Sequence, residues 1–288
     1  MNLEKLYPFQ SQFFYPPHKN RYHYVDEGRG EVMLMLHGNP TWSFFYRNLI
    51  EHFRKTHRVI APDHIGCGLS DKPSTLFYNY TLEQRVQDIE HLVENLELKD
   101  ITLVVHDWGG MIGMGFAVKH PELIKRIVLL NTAAFAKPKA KRLPLSIGIC
   151  RTPLIGPVLV RGANAFCRGA LHRCTVKPIE KSVKKAYLLP YNNWNSRRAV
   201  YEFVRDIPLK AGDRSYNTLD QVQSNLEKLD HIPKLILWGE KDFVFDRHFL
   251  AEWQRLWPDA DVQTFPNAGH YLLEDDGEAI VKSMERFV

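Results

Sequence analysis

The chain has 288 residues, 44% of them hydrophobic and 12% aromatic, with 38 Lys and Arg against 33 Asp and Glu. That length suits one α/β domain carrying an inserted subdomain, with ample apolar side chains for a core. No nucleic-acid recognition motif accompanies the positive charge, so no nucleic-acid partner is expected. No apolar run reaches the ~18 residues of a membrane span. The most apolar tract, Leu143 to Val160, is interrupted by Pro144, Arg151, Pro153 and Pro157. The opening Met1-Asn2-Leu3-Glu4-Lys5 has no basic n-region and no apolar h-region, so no leader is expected and the chain is read as cytoplasmic. Cys67, Cys150, Cys167 and Cys174 show no CxxC spacing and are read as reduced thiols.

Short apolar runs alternate with helical patterns along the chain. Val32–Leu36 reads as a buried strand, followed by Arg58–Ala61. Thr81 and Gln84 form a capping box, after which Val86, Ile89, Val93 and Leu96 recur at helical spacing. Strands then follow at Ile101–Val105 and Ile127–Leu130, with a helix predicted over Met111–Val118 between them. The alternation stops from about 133 to 213, a stretch rich in Pro, Gly, Trp and Tyr with a helical run over Ile179–Leu189. It resumes with Leu235–Trp238 and Val262–Phe265. Such alternation predicts a mostly parallel, doubly wound sheet of 1–132 and 214–288, with 133–213 inserted as a helical lid. The lid holds 8 Lys and 8 Arg against 4 acids, a net +12 that leaves −7 on the rest of the chain. A solvated face, an anionic substrate or product, an acidic partner, an oligomer contact and a membrane surface are all compatible with that charge.

In an open parallel sheet the loops leaving the carboxyl ends of the strands share one crevice. Here those loops carry His37-Gly38-Asn39-Pro40-Thr41-Trp42, His106-Asp107-Trp108-Gly109-Gly110, Gly239-Glu240-Lys241-Asp242 and Ala268-Gly269-His270. Asp107 stands where a strained strand-to-helix elbow holds a nucleophile, with small Gly109 two residues downstream and the larger Val105 upstream. The alternative use of Asp107 is an N-cap for the next helix. Asp246 rivals Asp242 as the acid, but Asp242 lies in the loop that leaves the strand directly. His37, His64 and His106 lack HxxxH or HExxH spacing, so no metal is expected, and Gly66-Cys67-Gly68 lacks the context of a nucleotide loop. No cofactor is expected either.

The order nucleophile Asp107, acid Asp242, base His270 is that of the α/β-hydrolase fold. These loops, together with Pro62-Asp63-His64-Ile65-Gly66-Cys67-Gly68-Leu69-Ser70-Asp71-Lys72-Pro73, resemble the haloalkane dehalogenases over nearly the whole chain. An acid at Asp242 resembles the subfamily that also contains the β-lactone decarboxylases of olefin biosynthesis. The lid motifs Arg142-Leu143-Pro144, Phe203 to Leu209 and Gly212-Asp213-Arg214 look more like those decarboxylases. The resemblance implies an ionised Asp107 attacking saturated carbon, an imidazole at His270 that activates water, and Asp242 orienting that ring. Asn39 and Trp108 would hold the leaving halide or carboxylate through amide and indole N–H, and their backbone N–H groups would serve an oxyanion. Trp108 could otherwise be core and Asn39 a turn residue.

A dehalogenase taking a small apolar alkyl halide is the first expectation. The alternative is a cis-β-lactone decarboxylase whose long alkyl chains run along Leu143–Val160, with the basic lid meeting an anion or an acidic partner enzyme. Asn39 argues against an epoxide hydrolase, which usually has an aromatic residue there. A non-catalytic binding module is the remaining class, and the complete Asp–His–Asp set argues against it. Tyr191 and Trp194 are expected either at the substrate or within the lid.

Overall fold

The computed structural model describes residues 3–288, so Met1 and Asn2, part of the stretch searched for a leader, lie outside the described residues. Eight strands form one sheet: β1 (Ser11–Phe14), β2 (Tyr22–Glu27), β3 (Glu31–Leu36), β4 (His57–Pro62), β5 (Ile101–Asp107), β6 (Ile124–Thr132), β7 (Lys234–Gly239) and β8 (Asp261–Phe265). Their spatial order is β1-β2-β4-β3-β5-β6-β7-β8. The pairs from β4 through β8 are parallel, and β2 joins β4, and β1 joins β2, antiparallel. The six predicted strands are all present. The two antiparallel strands were not predicted, because Ser11–Phe14 and Tyr22–Glu27 carry no sustained apolar run.

Both faces of the sheet are covered, which is why β5 is buried at every residue. One face packs against α2 (Leu82–Asn95), α3 (Trp108–Ala117) and α8 (Tyr216–Ser224). The other packs against α1 (Arg47–Phe53) and α10 (Leu272–Glu285). Thr81 caps α2, its side chain accepting from the Gln84 N–H. Between β6 and β7 lie α4 (Leu145–Arg151), α5 (Ala165–Arg173), α6 (Lys181–Leu188) and α7 (Arg198–Arg205), with α8 already docked on α2 and α3. The run predicted as helix over 179–189 is α6, starting two residues later behind Pro178. Among the described residues no helix is long and apolar enough to cross a membrane. The four cysteines are buried and unpaired.

Register sets the strand ends level. Leu36 lies beside Val105, Asp107 beside Thr132, and Gly239 beside Phe265. The four loops therefore leave the sheet at one edge.

Candidate functional site

The elbow is tighter than the sequence suggests. β5 runs on to Asp107 and α3 begins at once with Trp108, so no spare residues separate strand from helix. Asp107 sits at φ 51°, ψ −125°, a conformation that costs an ordinary residue on the order of 1–3 kcal/mol. Its side chain makes no capping hydrogen bond, so the N-cap reading fails. Two glycines enforce the turn. A Cβ on Gly109 would stand 2.0 Å from the Leu36 carbonyl oxygen, and one on Gly38 would stand 2.0 Å from Asp107 Oδ1. Val105 is fully buried, and Gly113 on the facing turn of α3 makes the room for it.

That turn aims the Asp107 carboxylate at the cavity. The Asn39 backbone N–H donates to Oδ1 at 2.6 Å, and Oδ2 lies 3.6 Å from His270 Nε2. The Trp108 amide, the second expected backbone donor, makes no hydrogen bond to this carboxylate among the described residues. On the far side of the imidazole, His270 Nδ1 donates to Asp242 Oδ2 at 2.7 Å. Asp242 is buried, and its other oxygen accepts the Val244 N–H at 2.6 Å. Asp246 is not within the site: it caps the helix Arg247–Leu256 (α9) and pairs with Lys141 at 2.9 Å.

Electrostatics follow from this packing. Burial works against a charged His270, yet Asp242 and Asp107 on either side outweigh it and push the imidazole up to about 10. Burial likewise opposes ionisation of Asp107, and the His270 and Asn39 donors overcome it, leaving the carboxyl below its usual range. At neutral pH these shifts leave an Asp107 carboxylate beside a His270 imidazolium. The three other histidines of the loops behave differently. Burial lowers His37, His64 and His106, the last to about 3. His37 Nε2 accepts the His64 N–H at 3.1 Å, and His106 Nε2 donates to the His270 carbonyl at 2.9 Å. They are neutral struts that fix the loops.

Above the carboxylate lies a cavity of about 420 Å³. Asn39, Asp107, Trp108 and His270 form its floor. Leu143, Pro144, Ile147, Ile149 and Leu159 contribute from the apolar tract of the inserted segment, as the decarboxylase alternative expects. Tyr191 and Trp194 do not line it. Tyr191 is buried against the Thr41 carbonyl, and Trp194 is half-exposed beneath Arg161. Trp108 faces the cavity, and among the described residues no protein acceptor takes its indole N–H. Asn39 Nδ2 donates one proton to the Val200 carbonyl of α7 at 3.2 Å, which leaves its second for the cavity.

Three positioning residues escaped the sequence reading. Asn131 Nδ2 donates to Asp242 Oδ2 at 3.1 Å and to the Gly239 carbonyl, while its Oδ1 accepts the Gly239 N–H. Lys141 crosses from the inserted segment to the Phe243 carbonyl at 2.8 Å, tying down the loop that carries Asp242. Arg85 is fully buried, pairs with Asp206 at 3.2 Å, and stacks 3.7 Å from the Phe203 ring centre and 5.5 Å from that of Trp108. Only Arg85 had a signal in the sequence: a cation on a face of α2 otherwise destined for the core.

The profile of the α/β hydrolase fold family matches residues 31–277. The chain belongs to that family. It is 49% identical over 288 residues to a protein of Shewanella oneidensis named cis-3-alkyl-4-alkyloxetan-2-one decarboxylase, covering 99% of this chain and 90% of that one. It is 32% identical over 285 residues to haloalkane dehalogenase 2 of Mycobacterium tuberculosis, covering 98% and 96%. The solved haloalkane dehalogenase DbeA of Bradyrhizobium elkani superposes with a TM-score of 0.85 at 25% identity, covering 97% of each chain. An enzyme of this hydrolase family, related to dehalogenases and to lactone decarboxylases, is what the chain is.

Proposed function

We propose that the chain is a cis-β-lactone decarboxylase, converting a 3,4-dialkyl-oxetan-2-one to an alkene and CO₂. The observation that carries the choice is the 49% identity over the full chain to a protein of that name, against 32% to a dehalogenase. The order of the two sequence expectations is thereby reversed. Residues 1–132 and 214–288 serve as the core, 133–213 as the lid.

Asp107 acts as nucleophile, His270 as its charge partner and Asp242 as the group that keeps the imidazole oriented. Oδ1 is anchored by the Asn39 N–H at 2.6 Å, so Oδ2 attacks the saturated ring carbon that bears the ring oxygen, C4. The C–O bond of the ring breaks and its electron pair goes to the lactone carboxyl, which becomes a carboxylate. Asn39 Nδ2–H and the Trp108 indole N–H take up that charge. Attack inverts the carbon, which leaves the new Asp107 ester anti to the neighbouring C–CO₂ bond without rotation. That bond then breaks, its electrons form the double bond, and the ester oxygen leaves as the Asp107 carboxylate. Inversion followed by anti elimination conserves the cis relation, so a cis-lactone gives a cis-alkene.

No proton is gained or lost, which suits an imidazolium held near 10 beside Asp107. The cation stabilises Asp107 before attack and again as it departs. The apolar cavity favours the neutral alkene and CO₂ over a buried carboxylate.

A second reading, hydrolysis of an alkyl halide, is favoured by the paired free N–H groups of Asn39 and Trp108, which fit a halide equally well. Ester formation there removes the Asp107 charge, so the His270 imidazolium can give its Nε2 proton to solvent and the neutral ring can then activate water. The test is turnover of a cis-dialkyl β-lactone and of a 1-bromoalkane in H₂¹⁸O. cis-Alkene and CO₂ from the lactone, both lost in Asp107→Asn, are expected. Bromide and ¹⁸O-bearing alcohol, with the lactone untouched, overturn the proposal.

A further inference from the structure

From Leu123 to Ile179 the chain contains no Asp or Glu, yet it contains eleven Lys and Arg. Within that stretch lies the densest group of exposed aliphatic side chains on the molecule. Leu145 is 78% exposed and Leu154 is 84% exposed, with Ile155 and Val158 more than half exposed beside them. They sit on or next to three successive elements that touch one another. α4, the turn Ile155–Pro157 and the segment Val158–Gly162 pack on one another in sequence, and Gly156 lies against the Cys150 carbonyl. A soluble monomer has no use for four large aliphatic groups standing out together.

The cations around this surface divide into two sets. Lys141 and Arg151 are neutralised by Asp246 and Asp213. Lys139, Arg142, Arg168 and Arg173 are exposed, and among the described residues no carboxylate lies within ion-pair distance of them. Arg142 and Lys139 precede Leu145 by three and six residues. Arg173 projects from α5 at the cavity opening, where its Nη1 reaches the Ser146 hydroxyl at 3.4 Å, and Arg168 lies five residues earlier on the same helix. The opening itself is marked by side chains that both line the cavity and meet solvent: Ser146, Ile149, Ala165 and Arg173.

Apolar knobs beside four cations that no carboxylate pairs are the chemistry of a surface that rests on an anionic bilayer. The leucines enter the acyl boundary and the cations stay among the headgroups. We propose that this face of 139–173 docks on anionic membrane lipid with the cavity mouth turned toward the bilayer, so that an apolar substrate enters, and its product leaves, without crossing water. The inference does not rest on which leaving group the site takes, since either reading uses an apolar substrate. Docking of a second copy fits less well, because two such faces would oppose unpaired cations to one another.

The test is co-sedimentation of the full chain with vesicles of phosphatidylcholine alone or with about one-third phosphatidylglycerol. Binding is expected only to the anionic vesicles, and release at about 1 M salt, where the Debye length falls to ~3 Å. Each cation near such a surface contributes about fivefold. Lys139→Gln with Arg142→Gln should therefore weaken binding about 25-fold, and Leu145→Gln with Leu154→Gln at least ~10-fold. None of these four side chains lines the cavity, so turnover of a short, water-soluble substrate should be unchanged in both double variants. Turnover of substrate dissolved in the vesicles should fall with binding. Failure to sediment with anionic vesicles, equal sedimentation with neutral ones, or undiminished binding by both double variants overturns the proposal. So does a dimer that the same variants dissolve, which would assign the face to a second copy. Retention on polyglutamate without vesicle binding would assign it to an acidic protein and equally overturn it.

Discussion

Replacing Asp242 by Asn tests the charge arrangement on which the proposed chemistry depends. The carboxylate has a donor on each oxygen: Val244 N–H at 2.6 Å on Oδ1, and both Asn131 Nδ2 and His270 Nδ1 on Oδ2. A carboxamide has one acceptor and one donor in place of two acceptors. Whichever way it lies, its NH₂ meets an N–H and one buried bond becomes a clash, which costs about 1–3 kcal/mol. The larger effect is on His270. Its rise from 6.5 to about 10 corresponds to roughly 5 kcal/mol favouring the imidazolium, and Asp242 is the largest of the groups that raise it. Without that charge the midpoint should fall by about 2 pH units or more.

The sign follows from linkage. A histidine raised on folding stabilises the fold fully below about 6.5, and that stability is lost as pH climbs through about 10. The unmodified protein should thus lose several kcal/mol between pH 7 and 10 from this site, and Asp242→Asn should lose much less over the same interval. NMR titration of the His270 ring, with urea unfolding at each pH, measures both quantities. A midpoint still near 10 in the variant would refute the assignment of Asp242 as the charge that holds the imidazolium.

The remaining predictions concern the anion pocket and the elbow. Trp108→Phe keeps the ring and removes the indole N–H, so kcat should drop by about 10²–10³ with the fold intact; an unchanged kcat would remove Trp108 from the leaving-group site. Arg85→Met removes a buried cation 5.5 Å from that ring, and bromide binding by calorimetry should weaken about tenfold; unchanged binding would reduce Arg85 to a packing role. Gly38→Ala forces a methyl to within 2.0 Å of Asp107 Oδ1, so activity should be lost at a near-native unfolding midpoint; full activity would contradict the observed carboxylate position.

The parallel sheet and its four loops were legible because parallel strands are buried on both faces and announce themselves as apolar runs. The candidates for elbow, acid and base were then read from where each run stops. Strands β1 and β2 stayed hidden because Gln12, His23 and Asp26 break their pattern, and only the pairing of β2 with β4 and of β1 with β2 makes them strands. Asn131 was invisible for a different reason. Its value lies in which carboxylate it faces across 111 residues of chain, and nothing local encodes that. Tyr191 and Trp194 were placed by residue type alone, and type did not decide whether an aromatic ring faces ligand or the lid's own packing.

The triad by itself does not separate the two reactions. In both proposed readings Asp107 would form an ester with saturated carbon, and the same N–H pair would hold the departing charge. What differs is the next bond to break. With a halide substrate the leaving group departs, and the ester waits for water and a neutral imidazole. With a lactone the departing carboxylate stays attached to the adjacent carbon, already anti to the ester, so collapse is intramolecular and needs neither water nor proton. Intramolecular collapse in the right geometry has an effective advantage of up to about 10⁵–10⁸ M over a bimolecular step. The wall of Leu143, Ile147, Ile149 and Leu159 offers water no hydrogen-bond partner, which favours the route that needs none. On the proposed reading the same residues would serve both hydrolysis and elimination, and the segment that lines the cavity above them would choose between the two.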